Sequence, residues 1–185
     1  MANIQVIQPT DADGYLKEVY DQILESRGKI GEIHKIQSLN PRSIIRHLDL
    51  YITLMHGKSP LAREEREIIG IIVSSVNNCD YCVAHHSEAL NYYWNDKQKI
   101  KALLEDYSEL DLREDQKLLC ELAELSTRFP DSRKVLPLVK KLKKKGMSDR
   151  AILDATLIIA YFNFVNRIVL TLDVKLEKDP GGYKY

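Results

Sequence analysis

Apolar side chains recur at helical spacing through most of this chain, which is the pattern of helices that each bury one face. Strand-like alternation is scarce, and only 8 glycines and 6 prolines are available to interrupt helices among 185 residues. The sequence therefore predicts an all-α fold. We expect a helical extension over residues 1–39, a single helical domain over 40–176 and a polar tail over 177–185, either frayed or lying on a neighbouring subunit.

Capping and stop signals divide the chain into helices. Asn40 and Pro41 start a helix that ends at Gly57, and Ser59 with Pro60 starts the next one. Residues 31–39 are ambiguous between a loop and a short helix. Further helices are predicted up to residue 28 and over residues 97–104, 114–127, 135–145 and 149–174.

The pair Asn77-Asn78 separates two helices and predicts Asn78 as the N-cap of the second one. Cys79, Cys82 and His86 are then spaced i, i+3 and i+7, so they share one helix face. The helix N-terminus, a second cysteine three residues away and a nearby imidazole all favour thiolate over thiol. Glu67 would lie alongside if the two helices pack antiparallel, where a carboxylate could orient His86.

Glu67, the Cys79–Cys82 pair and His86 at these spacings resemble the AhpD-like alkylhydroperoxidase group within the carboxymuconolactone decarboxylase superfamily. The family pattern has a glutamate twelve residues before a Cys-X-X-Cys and a histidine four residues after its second cysteine. Tyr81 stands where the best-known peroxidase members have a histidine. In that respect the chain looks like the peroxidase-related branch, which residues 63–67, 82–86 and 160–167 also resemble.

The resemblance implies an AhpD-like helical bundle and a thiol-dependent peroxidase or disulfide oxidoreductase. Cys82, one turn from His86, would attack the peroxide and Cys79 would resolve, with Glu67 tuning His86. The helix dipole favours the opposite order, because Cys79 is nearer the N-terminus. Tyr81 either donates a hydrogen bond or walls the pocket, and His85, about 100° around the helix, is an auxiliary candidate.

The resemblance also implies cofactors and partners. The redox-active cysteine pair would need no haem and no metal, but it would need an external thiol reductant, in relatives a lipoyl-bearing or thioredoxin-like protein. The hydroperoxide is the expected substrate. Family members form trimers and higher assemblies, so we expect a homo-oligomer, a trimer or hexamer.

Composition excludes several other classes of protein. The 27 basic and 27 acidic residues cancel, which argues against a nucleic-acid partner. Three cysteines do not make a secreted disulfide framework, and residues 1–6 lack the features of a signal peptide, so a cytoplasmic location is expected. The uncharged run from Ala155 to Asn166 is too short for the roughly 20 apolar residues of a membrane span.

Other interpretations of the cysteine pair remain open at this point. Cys79, Cys82, His86 and Glu67 could supply four metal ligands, so a metal-binding or redox-sensing module with little turnover is the alternative. Decarboxylase or lactone chemistry occurs elsewhere in the superfamily, as a rule without the cysteine pair. Cys120, between leucines on an apolar helix face, is expected to be inert packing.

Overall fold

The computed structural model describes residues 2–131 and 133–184, which form α-helices and one short 3₁₀ turn at Pro9–Asp11, with no strand among them. The all-α prediction is confirmed. In chain order the helices are α1 (Gly14–Arg27), α2 (Glu32–Lys35), α3 (Pro41–His56), α4 (Arg63–Val76), α5 (Asp80–Trp94), α6 (Lys97–Asp106), α7 (Glu114–Arg128), α8 (Leu136–Lys144) and α9 (Asp149–Leu172).

Most helices lie where the start and stop signals predicted them, but α4 begins later than expected. The prediction started this helix at Pro60, whereas the structure starts it at Arg63. The Glu65 carboxylate accepts a hydrogen bond from the backbone N–H of the N-cap residue Ala62 at 2.8 Å. This N–H has no hydrogen-bond acceptor within the helix, so the side chain of Glu65 supplies one. Residues 31–39, left ambiguous by the sequence, contain the single-turn α2.

Helix α4 is the centre of the bundle and packs against α5, α7 and α9. All its residues from Glu65 to Ser74 are buried, so no side of this segment faces solvent. An apolar run of isoleucines and Val73 accounts for most of this burial. The consequence for function is that Glu67, one turn into the helix, lies deep inside the protein.

Gly70 allows α4 to approach α9 closely. A Cβ atom at position 70 would lie 2.8 Å from Cε2 of Phe162, and that ring is held edge-on against His86 with centroids 4.4 Å apart. Alanine inside a helix normally stabilises by roughly 0.5–1 kcal/mol relative to glycine. Gly70→Ala is nevertheless expected to lower the free energy of unfolding by about 1–3 kcal/mol through overpacking. Urea titration measures this change, and a stabilised variant would contradict the close approach.

Helix α9 is long and apolar enough to cross a membrane by length and composition alone. Core helices of soluble proteins pass the same test, and 44% of the apolar window is buried inside the protein. Ile158 and Phe162 face α4 and its neighbours, with essentially no exposed surface. Burial against other helices therefore accounts for part of this composition, and partly exposed apolar side chains such as Leu153 and Phe164 account for more of it.

The N-terminal helix α1 packs on α3 through a small apolar cluster of its own. Val19, Tyr20 and Ile23 of α1 contact Ile44 and Leu48 of α3. This packing covers one side of α3 and places the end of α1 near the residues discussed below.

The described part of the C-terminal tail folds back onto its own chain. The backbone N–H of Lys184 donates to the carbonyl of Arg27 at 2.9 Å, and the Glu177 carboxylate accepts from the N–H of Glu32 at 2.7 Å. Such long-range contacts cannot be read from a polar, glycine-containing tail. They bring the tail to the end of α1 and the start of α2.

Candidate active site

A tight turn between α4 and α5 positions the cysteine pair. Asn78 adopts a left-handed conformation with φ of 55°, and Cys79 takes the N-cap position before Asp80. The helix thus starts one residue later than predicted, because the N–H of Cys79 closes the turn on the carbonyl of Ser74 at 2.8 Å. As a result Cys82, not Cys79, lies in the first helical turn, where the helix dipole favours a negative charge.

The two thiols are reduced, adjacent and buried. Cys79 has no exposed surface, whereas Cys82 is 3% exposed. A hydrogen bond from Cys82 lowers the pKa of Cys79, while the same contact, with burial, raises the pKa of Cys82 well above its usual value. Asn166, whose amide donates to the Ser74 hydroxyl at 3.2 Å, is a polar neighbour of both sulfurs. The pair therefore shares its protons, and one negative charge is easier to form than two.

Glu67 and His86 form a buried carboxylate–imidazole pair. Nδ1 of His86 lies 2.6 Å from Oε2 of Glu67, and the other carboxylate oxygen accepts from Nε of Arg63 at 2.9 Å. Burial alone would raise the pKa of Glu67, but the charges and hydrogen bonds of His86 and Arg63 outweigh it and lower that pKa. Glu67 is thus an anion at neutral pH, and it fixes the orientation of the His86 ring.

Cys82 and His86 open onto the same cavity, whereas Cys79 does not line it. The space available to solvent there is about 80 Å³, enough for several water molecules. Apart from the two site residues, the wall is made of aromatic, histidine and apolar side chains with one arginine: Arg27, Ile33, His34, His47, Leu48, Tyr51, Tyr81, His85, Ala89, Tyr161, Phe162, Val165 and Tyr183.

The tail supplies a second carboxylate, which binds both auxiliary candidates. Glu177 accepts from the Tyr81 hydroxyl at 3.0 Å and pairs with Nε2 of His85 at 2.8 Å. Burial would raise the pKa of Glu177, but the hydrogen bonds from His85 and the N–H of Glu32 lower it to about 2. Burial also raises the pKa of Tyr81, and the charge of Glu177 raises it further. Tyr81 is therefore a neutral wall residue.

Two residues that shape this site, Arg63 and Glu177, were not identified from the sequence. Arg63 lies four residues before Glu67, a spacing that places the two side chains together on a helix and that could have identified it. Glu177 had no such signal, because it lies 92 residues from its partner His85. The four main site residues predicted from the sequence lie together, and Tyr81 and His85 lie on the cavity wall.

Two buried histidines at the far wall make stability depend on pH. Burial lowers the pKa of His34 to about 3 and that of His47 to about 4. Because these values lie below the unfolded value of 6.5, the unfolded chain takes up protons that the folded chain does not. Their contribution is complete above pH 6.5 and is lost as the pH falls toward the folded values.

His34 and His47 are therefore expected to lower the free energy of unfolding between pH 6.5 and 5, with a slope near pH 5 of up to about 2.7 kcal/mol per pH unit for two protons. Burial also lowers the pKa of the half-buried His56 to about 4, which adds to the total slope. Urea titrations at several pH values measure the slope, and His47→Gln should reduce it by the share of one proton, up to about 1.4 kcal/mol per pH unit. Equal stability of the wild type at pH 6.5 and 5 would contradict this account.

Among the described residues, no group of three or more histidine, cysteine, aspartate or glutamate side chains is arranged to hold a metal ion. The two oxygens of Glu67 are already engaged by Arg63 and His86. Cys120 lies in the core, where burial raises its pKa to about 12, and it does not line the cavity.

Comparison with known proteins matches residues 46–107 to the carboxymuconolactone decarboxylase family. This segment contains both cysteines, Glu67 and His86. No curated protein matches the sequence.

Three solved structures show similar folds. An uncharacterized peroxidase-related protein from Silicibacter sp. TM1040 is 26% identical over 90% of this chain and 88% of that one, with a TM-score of 0.81. An uncharacterized peroxidase-related protein from Ralstonia eutropha JMP134, described as an alkylhydroperoxidase AhpD core, is 18% identical over 97% of this chain and 94% of that one, with a TM-score of 0.85. The debrominase Bmp8 is 22% identical over 96% and 94%, with a TM-score of 0.77.

Proposed function

We propose that this chain is a member of the carboxymuconolactone decarboxylase superfamily, in its AhpD-like, peroxidase-related branch, and that it reduces hydroperoxides with the dithiol of Cys79 and Cys82. One observation carries the proposal: Cys82 and His86 line a common cavity, and the buried Glu67 carboxylate holds the His86 ring at 2.6 Å. A structural cysteine pair has no need of such an arrangement.

In the proposed reaction the Cys82 thiolate attacks the terminal oxygen of the hydroperoxide. The O–O bond breaks, the alkoxide takes a proton and leaves as an alcohol, and Cys82 becomes a sulfenic acid. Cys79 then attacks the Cys82 sulfur, and water leaves as the disulfide forms. One hydroperoxide and two thiols thus give one alcohol, one water and one disulfide.

We assign proton handling to His86. It lies on the cavity wall beside Cys82, and Glu67 fixes its ring, so it can accept the thiol proton and return it to the leaving oxygen. His85, paired with Glu177 on the same wall, is the auxiliary candidate for that second transfer.

The cycle closes only when an external dithiol reduces the disulfide by thiol–disulfide exchange. We propose a lipoyl-bearing or thioredoxin-like protein as the donor and the reducing cytoplasm as the location. The chemistry itself would need neither haem nor metal, because the two sulfurs carry both electrons.

Steady-state peroxide consumption with dithiothreitol as the reductant tests the proposal. The purified protein should turn over hydrogen peroxide, and Cys120→Ser, which removes a buried cysteine away from the cavity, should leave the rate within about 2-fold. A protein whose thiols oxidise once but do not turn over would favour the redox-sensing alternative. Stoichiometric zinc in protein prepared without added metal would favour a metal-binding module.

A second candidate is reductive removal of halogen from a small aromatic ring, as the name of the similar debrominase suggests. The aromatic walls of the cavity, which include Tyr51, Tyr161 and Phe162, favour this candidate because flat rings stack on them. The same dithiol would supply two electrons, giving a C–H bond, bromide and a disulfide. A second structure of that debrominase holds 2,3,4-tribromopyrrole. Bromide release from this compound in the presence of dithiothreitol would support the second candidate.

We also propose that this chain forms a homo-oligomer, a trimer or hexamer, through an exposed apolar stripe on α9. Leu153, Leu157 and Phe164 share one helix face and are about half exposed. A second copy would bury this stripe. Replacing Leu153 and Leu157 with lysine should reduce the mass measured by light scattering to that of a monomer. Leu136→Lys, which changes a leucine of similar exposure on α8, should not reduce the mass. A wild-type monomer would contradict the proposal.

A further inference from the structure

The C-terminal tail contributes to the walls of two neighbouring cavities of different size. The cavity onto which Cys82 opens, here called the inner cavity, has about 80 Å³ of space, and its neighbour, here called the outer cavity, has about 500 Å³. The two share three wall residues: His85 and Ala89 on α5, and Tyr183 on the tail. Tyr183 is the only one of the three that does not belong to the helical bundle.

We propose that Tyr183 determines the size of the oxidant that reaches Cys82. This inference rests on the proposed function and specifies its substrate class: with the tail in place, the site accepts hydrogen peroxide and the smallest alkyl hydroperoxides. Bulky organic hydroperoxides fill the outer cavity only. They reach the dithiol when the Tyr183 ring leaves its position.

The contacts of Tyr183 explain why the ring stays at this position. Its ring lies 4.8 Å from the ammonium of Lys29 and 5.5 Å from the guanidinium of Arg27, and it is 5.9 Å from the ring of His85. Two cations on an aromatic ring make favourable contacts of about 0.5–1 kcal/mol each at partly exposed sites. The ring is thus held between α1 and α5.

The rest of the tail is fastened by polar contacts. Lys29 donates to the carbonyl of Gly181 at 2.7 Å and also to that of Asp179, while Glu177 anchors the start of the tail on His85. From residue 175 to 184 no side chain is fully buried. A segment held by hydrogen bonds and ion pairs near solvent, with little buried apolar surface, opens locally at much lower cost than the core.

Two glycines directly before Tyr183 give the backbone conformational freedom at this point. Gly182 has φ of 80°, a conformation that strains residues with a side chain, and Gly181 precedes it. Opening at these two glycines would move Tyr183 and leave Glu177 on His85. Access to Cys82 could then change without disturbing the catalytic pair of Glu67 and His86.

Alkylation of Cys82 tests the proposal independently of turnover. Wild type, Tyr183→Ala and Tyr183→Phe are treated with iodoacetamide, which is small, and with fluorescein maleimide, which is bulky, and peptide mass spectrometry locates the label. Tyr92→Ala is the matched control, because Tyr92 is an exposed tyrosine that lines only the outer cavity.

We expect Tyr183→Ala to accelerate labelling of Cys82 by the bulky reagent at least 10-fold and by iodoacetamide less than 3-fold. Tyr183→Phe and Tyr92→Ala should resemble the wild type. The ratio of cumene hydroperoxide to hydrogen peroxide turnover should rise in Tyr183→Ala in parallel. Equal acceleration with both reagents, or none, would overturn the role of Tyr183. If labelling changes as expected but no variant consumes peroxide, the proposed function fails and the control of access stands.

Discussion

Replacing Cys82 with serine is expected to reduce peroxide turnover by roughly 10³-fold or more, because it removes the nucleophile itself. Cys82 is the only cysteine on the wall of the inner cavity, and a serine hydroxyl does not form an anion at neutral pH. Stability should change little, since the substitution is nearly isosteric. Initial rates of hydrogen peroxide consumption measure the loss, and Cys120→Ser is the control for removal of a buried thiol.

Cys79→Ser distinguishes the order of the two sulfurs. Acidity favours Cys79 as the first thiolate, because Cys82 donates a hydrogen bond to it, whereas access favours Cys82, because Cys79 does not reach the cavity. We expect access to the cavity to determine which sulfur attacks, since a sulfur that does not contact the peroxide cannot react with it. The two thiols share one proton, so the negative charge can lie on Cys82. Peroxide should therefore leave Cys82 of Cys79→Ser as a sulfenic acid that dimedone traps. Trapping on Cys79 in Cys82→Ser would show the reverse order.

Replacing Glu67 with glutamine is expected to have the second largest effect. The carboxylate has no exposed surface and bonds both His86 and Arg63, so the substitution removes the anion and leaves the Arg63 charge without it. Breaking a buried pair in this way costs about 3–5 kcal/mol of stability, and less here because Arg63 is partly exposed. Turnover should fall by roughly 10²-fold, because the His86 ring loses the group that orients it.

Glu65→Gln is a matched control for this prediction. Glu65 lies on the same helix and is nearly as buried, but it bonds Arg113 and the N–H of Ala62 and not His86. The Glu65→Gln variant should be less stable than the wild type, while its turnover per folded molecule stays within about 3-fold of the wild-type value. Peroxide assays and urea titrations of the two variants separate the effects. Glu67→Gln with wild-type turnover would remove the carboxylate from the proposed reaction.

The fold could be predicted from the sequence because helical periodicity and caps are local signals. Asn40 with Pro41 and Ser148 mark helix starts where the structure has them. The predicted start of α5 differs from the observed start by one residue. The difference arises because Asn78 adopts the left-handed conformation, so Cys79 and not Asn78 takes the N-cap position.

The centre of the site was also predictable, since Cys79, Cys82 and His86 share a helix and α4 precedes it directly. What could not be predicted depends on contacts between distant segments. Glu177 contacts the cavity-wall residue His85, and Tyr183 lines the cavity, only because the tail folds back. A polar tail gives no periodic signal of its position. The sequence likewise could not reveal which sulfur faces the cavity, because the conformation of the turn at Asn78 determines how the two cysteines are oriented.

The central claim is that the buried thiols of Cys79 and Cys82 are a redox pair served by the Glu67–His86 pair. Thiol counting after one equivalent of hydrogen peroxide, with mass spectrometry of the peptides, tests it most directly. The account predicts rapid loss of two thiols per chain, a disulfide between Cys79 and Cys82, full recovery with dithiothreitol and an unmodified Cys120. Slow oxidation at the rate of an ordinary free thiol, or oxidation spread over all three cysteines, would contradict it.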